Sequence, residues 1–334
     1  MGITDKIKNK ALKIGFNLIG ICEPKPLTNA YNILQKRKNN NKLPDMVTEN
    51  IKLLTTPEMH LKSVNSIISL ALSYASDIKD SKKEFKIAKY ARGKDYHKVM
   101  RKKMEKLKNY IKKIDENADI IFYSDTAPIV EKEIARKAGL GWIGKNNLLI
   151  NPTYGSYLVL GEILTSLKLD YDKPHKDGCG ECRICINKCP TGALKRPYYL
   201  DTSLCISFLT QKKGDLRRAE RLAIGNSLWG CDICQLNCPY NKNITLKTET
   251  EFNPCLDDNL IDIINFNRFP REWKESAINW RGLETIKRNA IIVMANSGKK
   301  KYLNYLQNNN INKSNLIKKY VNWAIKVLRR KQDD

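Results

Sequence analysis

The sequence predicts a protein of the α+β or α/β class with three successive units: a mixed-sheet domain (1–170), a small cysteine-rich module (171–255) and a helical region (256–334). Three observations support this. Helical and strand periodicities alternate in the first unit, all but one of the cysteines lie in the second, and helical periodicity returns in the third. With 334 residues, 42% of them hydrophobic and 28% charged, the chain is long enough for several packed units.

Alternating helices and strands define the first unit. Apolar residues recur at helical spacing over residues 4–16, and a buried strand follows over 17–22. Residues 96–114 carry apolar side chains three and four positions apart, which indicates an amphipathic helix. Further strands are predicted over residues 66–74, 118–123, 147–150 and 157–163, with a helix over 128–138.

Asp125 lies where the predicted strand over 118–123 gives way to the helix over 128–138. Ligands in α/β sheets usually bind at the carboxyl ends of strands, so Asp125 is a candidate functional residue. The alternative is that Asp125 or Thr126 only caps the helix, as short polar residues often do.

A glycine-dense turn, AGLGWIGKNN (138–147), follows that helix. Glycines allow a large cofactor to approach the backbone closely. The first unit has no Gly-x-Gly-x-x-Gly after a strand and no Walker-type loop, so no nucleotide site is predicted.

Eight of the ten cysteines are spaced for iron–sulfur ligation. CGECRICINKCP (179–190) is the run of two-cluster ferredoxins, whose fourth thiolate reaches the other cluster. CDICQLNCP (231–239) is a second run, and Cys205 stands well ahead of it. We predict a ferredoxin-like module with two 4Fe–4S clusters, one held by Cys179, Cys182, Cys185 and Cys238, the other by Cys189, Cys205, Cys231 and Cys234.

Zinc is the alternative metal, although zinc ribbons usually use separated Cys-x2-Cys pairs rather than a triple run followed by Cys-Pro. Cys22, in an apolar strand, and Cys255, in a loop, have no partner at ligand spacing and are predicted to be structural.

The net charge of +25 predicts a positive field that attracts a polyanion, with nucleic acid the leading candidate. A coding bias towards lysine and asparagine is the alternative explanation. The sequence has no run of apolar residues long enough to span a membrane and no signal-peptide pattern. A cytoplasmic protein without membrane association is therefore predicted.

Taken together, several motifs resemble the epoxyqueuosine reductase family. The resemblance extends over most of residues 5–295, and its motifs are GKDYHKVM (93–100), DTAP (125–128), KAGLGWIGKNNLLI (137–150), YGSYLVLGEI (154–163), CGECRICINKCPTGAL (179–194), CISFLTQ (205–211) and WGCDICQLNCPYN (229–241). It implies a cobalamin-dependent oxidoreductase with two 4Fe–4S clusters, which reduces epoxyqueuosine to queuosine at the wobble position of tRNA.

The resemblance also implies roles for individual residues. Asp125 would be the proton donor, and its pKa would have to be raised by burial beneath the corrin. The cobalamin would be base-off with no protein ligand to cobalt, so His97 would not bind it. The residues implied to contact the cobalamin are Lys145, Asn146, Tyr154, Gly155, Ser156, Ser207 and Gln211.

The implied partners are a tRNA anticodon stem-loop with a GUN anticodon and an unidentified low-potential electron donor, and the protein would be a monomer. A tRNA track is predicted along the basic residues that follow CISFLTQ and along the basic C-terminal tail: Lys212, Lys213, Arg217, Arg218, Arg221, Lys299, Lys300, Lys301, Lys318, Lys319, Arg329, Arg330 and Lys331.

This chain departs from the family in two places. The segment over residues 53–57 lacks an expected arginine, and the helical region, predicted to be HEAT-like, is shorter than in longer members. The alternative functions are a reductive dehalogenase-like enzyme acting on a small molecule and a non-catalytic electron carrier of the ferredoxin type.

Overall fold

The computed structural model describes residues 2–44, 46–76, 84–125, 127–246, 249–309 and 314–333. The proposed cap at Thr126 lies outside these ranges. The α-helices are α1 Ile3–Ile14, α2 Thr28–Asn39, α3 Ile51–Thr55, α4 Tyr96–Ile114, α5 Glu131–Lys137, α6 Ile184–Asn187, α7 Ile206–Gln211, α8 Arg218–Ile224, α9 Ile233–Leu236, α10 Leu260–Asn265, α11 Arg271–Glu275, α12 Leu283–Ser297, α13 Lys300–Asn308 and α14 Asn315–Asp333.

The strands are short except for two in the first unit. They are β1 Leu18–Cys22, β2 Ser66–Ser73, β3 Lys86–Ile87, β4 Ile120–Tyr123, β5 Trp142–Ile143, β6 Leu149–Ile150, β7 Leu158–Thr165, β8 Leu194–Arg196, β9 Tyr199–Leu200 and β10 Ser227–Trp229.

A four-stranded sheet in the order β1-β2-β7-β4 forms the centre of the first unit, and every neighbouring pair in it is antiparallel. Both faces are covered, which explains why every residue of β2 is buried. One face packs against α1 and α4, the other against α5. The sheet therefore presents the end of β4, and the loop after it, at an edge between α4 and α5.

Parallel pairing also occurs, between β3 and β10. The predicted mixed α/β class is confirmed, but the central sheet is antiparallel. The expectation that Asp125 lies at the carboxyl end of a strand, at a strand-to-helix junction, is confirmed. Asp125 follows the end of a single strand, β4.

A second hydrophobic core joins the segment around β3 to α7, β10 and the C-terminal helices. Trp229 of β10, Trp273 of α11 and Tyr320 of α14 are among its fully buried side chains. This core crosses residue 255, so the domain boundaries at residues 170 and 255 stay predictions. The helical end of the chain is confirmed as α12, α13 and α14.

Helix α12 is buried on nearly every side and fixes the position of α7. Arg288 is 0% exposed, and its Nη1 donates hydrogen bonds to the carbonyls of Lys212 (2.6 Å) and Gly214 (2.8 Å). Burial lowers the pKa of Arg288 to about 10, so the guanidinium keeps its charge at neutral pH. These bonds satisfy carbonyls just beyond the end of α7, which the helix itself leaves unpaired.

No helix in the described part of the chain combines the length and apolar character that a membrane span needs.

Candidate active site

Asp125 lies in the loop between β4 and α5 with a φ of +57°, a left-handed conformation that is uncommon for residues other than glycine. Its backbone N–H donates a hydrogen bond to Oε1 of Glu131, the first residue of α5. The predicted start of this helix at residue 128 is three residues early. The N-cap position of α5 is occupied by Val130, and no side chain caps the helix there. The alternative that Asp125 is only the N-cap of this helix is therefore wrong.

The carboxylate of Asp125 faces the first turn of α4. The phenol of Tyr96 donates a hydrogen bond to Oδ2 of Asp125, and Nε2 of His97 lies 3.4 Å from the same oxygen. Asp95 caps α4 by accepting the backbone N–H of His97 (3.0 Å), and the same Oδ1 lies 2.6 Å from Nδ1 of His97. The imidazole is thus held between two carboxylates, an arrangement suited to proton transfer.

The charges of these groups set where the proton resides. The hydrogen bond from His97 lowers the pKa of Asp125, although partial burial opposes this. Burial also opposes protonation of His97, yet its hydrogen bonds with Asp125 and Asp95 raise its pKa to about 9. At neutral pH the pair is therefore imidazolium and carboxylate. The rise in the pKa of Asp125 that the resemblance requires depends on burial beneath the corrin and stays a prediction; the side chain shown here is 57% exposed and faces a cation.

Sequence reasoning missed Tyr96 and Asp95 and assigned His97 no catalytic part. The signal was present in the segment DYH (95–97), which places three polar groups in the cap and first turn of an otherwise amphipathic helix. What the sequence did not show is that this turn faces a loop almost thirty residues away.

The glycine-dense turn forms the β5–β6 hairpin. A side chain at Gly144 would place its Cβ 2.4 Å from Ile150, so the backbone here is closely packed. The side-chain amide nitrogens of Asn146 and Asn147 are buried and have no hydrogen-bond partner among the described residues. Buried amide donors normally have partners. These two fit a large cofactor with many polar substituents, which is the kind of group predicted for this turn.

The other predicted cofactor contacts lie where the first unit meets the cysteine module. Lys145 donates a hydrogen bond to the carbonyl of Gly180, within the first cysteine run. Tyr154, half-buried, donates its backbone N–H to Asn151 (3.1 Å). On α7, Nε2 of Gln211 donates to the carbonyl of Ser207 (2.9 Å). Their roles as cofactor contacts stay predictions.

Gly155 and Ser156 connect the two units directly. Gly155 has a φ of +64°, and a Cβ there would lie 2.0 Å from Oδ1 of Asn241, so only glycine fits. Ser156 is buried; its N–H donates to Asn241 (2.7 Å) and its carbonyl accepts from Gln235 (2.9 Å). The hydroxyl of Ser156 accepts from both side chains and is thus engaged within the protein.

The eight cysteines fall into two groups of four. In the first group, the thiol of Cys185 interacts electrostatically with Cys238, Cys179 and Cys182, and burial raises its pKa. In the second, Cys231 interacts with Cys205 and Cys189, while Cys234 interacts with Cys231 and Cys205. These pairings are the ones that the crossover rule predicts, although the described residues contain no cluster spaced to hold a single metal ion, and the assignment of the cysteines as cluster ligands stays a proposal.

The surroundings of the two groups show how they relate to the rest of the site. Cys238 is buried against Trp142 and Ile150, so the first group packs on the glycine-dense turn. Cys185 and Cys234 interact electrostatically, so the two groups are neighbours. Cys22 is 3% exposed in β1, and Cys255 is exposed with its Sγ 3.4 Å from the carbonyl of Arg92.

Two family models match the chain. Residues 55–126 match "Epoxyqueuosine reductase QueG, DUF1730", and residues 178–241 match "4Fe-4S double cluster binding domain". The chain is 34% identical over 295 residues to epoxyqueuosine reductase of Staphylococcus aureus, covering 85% of this chain and 78% of that protein. It is 36% identical over 265 residues to that of Escherichia coli, covering 75% and 69%.

Solved structures agree. A crystal structure of epoxyqueuosine reductase with an epoxyqueuosine-modified tyrosine tRNA stem loop superimposes with a TM-score of 0.91 at 31% identity, covering 97% of this chain and 89% of that one. A Bacillus subtilis epoxyqueuosine reductase, described with its catalytic aspartate loop swung out of the active site, also gives 0.91 at 31% identity, with 97% and 90% coverage.

Proposed function

This chain belongs to the epoxyqueuosine reductase family, and from that premise we propose that it reduces epoxyqueuosine to queuosine at the wobble position of tRNA. It is an oxidoreductase that binds two 4Fe–4S clusters. The observation that carries the proposal is the Tyr96–His97–Asp125 array, a proton-donating site at the edge of the first unit.

The cofactor of the family is cobalamin, which supplies a strongly reducing cobalt centre when bound. The unpaired amides of Asn146 and Asn147 would hold its polar substituents, together with the other predicted contacts. His97 is held between Asp95 and Asp125, which supports the prediction that the protein provides no ligand to cobalt.

Conversion of the epoxide to an alkene releases its oxygen as water and needs two electrons and two protons. Asp125 would deliver a proton to that oxygen from Oδ2. Since the pKa of Asp125 is lowered while His97 carries a proton at neutral pH, the proton would pass from Nε2 of His97 to Oδ2 as the substrate oxygen gains charge. Tyr96 would hold the carboxylate of Asp125, and Asp95 the ring of His97, in position for this transfer.

The electrons would enter through the cysteine module. We propose Cys179, Cys182, Cys185 and Cys238 as ligands of one cluster, and Cys189, Cys205, Cys231 and Cys234 as ligands of the other. The electrostatic influence of Cys185 on Cys234 indicates that the two groups are neighbours, and such proximity would allow electron transfer between the clusters. We propose that an external low-potential donor reduces them and that the protein acts as a monomer on a stem-loop with a GUN anticodon.

A lysine-lined groove on α4 is the surface that best suits the tRNA backbone. Its cavity of about 460 Å³ lies between α4 on one side and Glu249, Glu251 and Glu275 on the other, so five lysines and three glutamates line it. Lys103 pairs with Glu249 (3.0 Å), and the exposed lysines of the groove are Lys94, Lys98, Lys102 and Lys106. The groove begins beside the turn that carries Tyr96 and His97, so a bound stem could place its loop at Asp125. Lysines contact phosphates irrespective of sequence.

Several basic residues of the tRNA track predicted from the sequence form ion pairs within the protein. Lys212 and Arg217 pair with Glu220, at 3.2 and 3.1 Å. Arg221 is 8% exposed, pairs with Asp215 at 2.9 Å and lies against the rings of Tyr320 and Trp323. The prediction that Arg221 contacts tRNA is therefore wrong, because its guanidinium packs inside the C-terminal core.

The decisive experiment is an anaerobic assay of protein loaded with iron–sulfur clusters and cobalamin on tRNA that contains epoxyqueuosine, with queuosine measured after nucleoside digestion. We expect turnover by the wild type and a loss of about 100-fold or more for Asp125→Asn. Asp119→Asn is the control, since Asp119 precedes the same strand but contacts Ser63. Absence of queuosine from the wild type would overturn the function; full activity of Asp125→Asn would overturn only the role of Asp125.

A further inference from the structure

A buried carboxyl pair lies directly behind Asp125. Glu162 is 0% exposed in β7, opposite Ser69 of β2 and Tyr123 of β4. Its Oε1 accepts a long hydrogen bond from Ser69 (3.4 Å), and its Oε2 has no donor among the residues the structure describes. The carboxyl groups of Glu131 and Glu162 are close enough to form a hydrogen bond if one of them carries a proton.

Two carboxylates in contact away from water cannot both be ionised at low cost, because desolvation and mutual repulsion both favour a proton on one of them. Burial, followed by the charge of Asp125, raises the pKa of Glu131, and burial, followed by the charge of Glu131, raises that of Glu162. A single proton between them gives Glu162 an O–H donor and accounts for the oxygen that otherwise lacks a donor.

Glu131, one member of the pair, contacts the loop that carries Asp125. Oε1 of Glu131 accepts the backbone N–H of Asp125, the residue with left-handed φ. That conformation costs free energy and persists only where surrounding contacts impose it. Glu131 supplies such a contact, and Glu162 orients Glu131 from inside the sheet.

We propose that Glu131 and Glu162 share one proton and act together as positioning residues that hold the Asp125 loop in its catalytic conformation. This rests on the proposed function for the role of Asp125, but not for the position of the loop. Besides each other, the two carboxyl groups face side chains of the loop and of the elements packed around them: Asp125, Tyr96 and His97 of α4, Ser69 of β2, Cys22 of β1 and the neighbouring Lys132.

A dependence on pH follows from this arrangement. Loss of the shared proton in alkaline solution leaves two adjacent carboxylates beside the charged Asp125. Like charges at such short distance repel strongly in a buried site. The hydrogen bond to the Asp125 amide then loses its fixed acceptor, and the loop opens. In the variant Glu162→Gln the side chain cannot ionise but can still donate an N–H to Glu131. The variant therefore removes the shared proton while it keeps the shape of the side chain.

The test is hydrogen–deuterium exchange of the peptide spanning residues 124–130 in cluster- and cobalamin-loaded protein, across neutral to alkaline pH and corrected for the intrinsic exchange rate. We expect loop protection in the wild type that falls on alkalinisation, and protection in Glu162→Gln that does not. Glu131→Ala should lose about tenfold of the protection at neutral pH. Glu133→Gln, on the same helix but bonded to Arg136, should match the wild type.

Unchanged loop protection in Glu131→Ala, or the same alkaline loss in Glu162→Gln as in the wild type, would overturn the proposal. Turnover gives a second readout: kcat should fall at least tenfold in Glu131→Ala and less than threefold in Glu162→Gln. Should the wild type make no queuosine, the exchange experiment still decides whether the pair holds the loop. Failure of the proposed function is thus distinguishable from failure of this inference.

Discussion

Nε2 of His97 lies 3.4 Å from Oδ2 of Asp125, while Nδ1 of the same ring lies 2.6 Å from Oδ1 of Asp95. The ring also stacks on Tyr96, with the ring centroids 4.0 Å apart. These contacts orient both nitrogens, and the two carboxylates stabilise the protonated ring. The ring can therefore hold a proton beside Asp125, as the proposed mechanism requires.

The first prediction concerns pH. Because the hydrogen bonds of His97 outweigh its burial and raise its pKa to about 9, kcat should be flat across neutral pH and fall as pH rises through about 9. In a Glu162→Gln background, in which the carboxyl pair cannot lose its shared proton, His97→Asn should lower kcat about 10- to 100-fold and abolish that alkaline decline. Initial rates at saturating tRNA measure this, with His175→Asn, an exposed histidine, as the control. An unchanged profile when His97→Asn is added to Glu162→Gln would refute this role of His97.

The raised pKa of His97 also makes the stability of the folded protein depend on pH. A raised pKa in the folded state means that the imidazolium stabilises the protein fully below the ordinary histidine pKa of about 6.5, and that this contribution disappears as pH rises through about 9. The difference in unfolding free energy between the wild type and His97→Asn should therefore shrink from pH 6 to pH 10.

The second prediction concerns Arg288. Its guanidinium donates hydrogen bonds to the carbonyls of Lys212, Gly214 and Leu209, and also to the side chain of Asn289. Arg288→Met keeps much of the volume but leaves buried acceptors without donors, which we expect to cost about 3 kcal/mol of unfolding free energy. Denaturant titration of the loaded protein measures this. Arg330→Met, exposed on α14, should change stability by less than about 0.5 kcal/mol.

Much of the fold follows from local pattern. Helix α4 occupies the residues that its apolar spacing predicts, and β7 starts and ends within two residues of the predicted strand. The prediction works here because a long amphipathic helix and a buried strand each carry their own periodicity. Strand β3 carries no such signal. Its two residues are fixed by pairing with β10, more than a hundred residues along the chain.

The site was predictable only in part, for the same reason. Asp125 and the cysteines stand in recognisable motifs. Glu162 instead looks like one polar residue in an apolar strand, YGSYLVLGEI, and its significance depends on Glu131, which the sequence places on another element. The pKa of Asp125 also depends on His97, which only the tertiary fold brings close.

The third prediction concerns the clusters. Cys205 stands far from the second run in sequence, yet it interacts electrostatically with Cys189 and Cys231. Cys205→Ser should reduce the iron content from about eight to about four per chain, because one cluster loses a thiolate and the other keeps all four. Iron and sulfide analysis after anaerobic reconstitution measures this. Cys255→Ser should retain the wild-type content, and equal losses in both variants would contradict the ligand assignment.

The fourth prediction concerns the lysine-lined groove. Lys98 and Lys102 lie one turn apart on α4 and are both exposed in the groove. Their replacement by glutamate should weaken tRNA binding at least tenfold and reduce the slope of log affinity against log salt, since fewer phosphate contacts release fewer counterions. Fluorescence anisotropy of a labelled stem-loop, measured at several salt concentrations, reports both quantities.

The control for the groove is Lys113→Glu, at the far end of the same helix, where the side chain is exposed but does not line the cavity. Two such surface changes in the groove alter the net charge by four, so long-range attraction falls in any case. The comparison therefore needs a second substitution, Lys6→Glu on α1, to match that charge change away from the groove. If the control pair weakens binding and lowers the salt slope as much as the groove pair, the effect is one of net charge, and the groove does not contact the tRNA backbone.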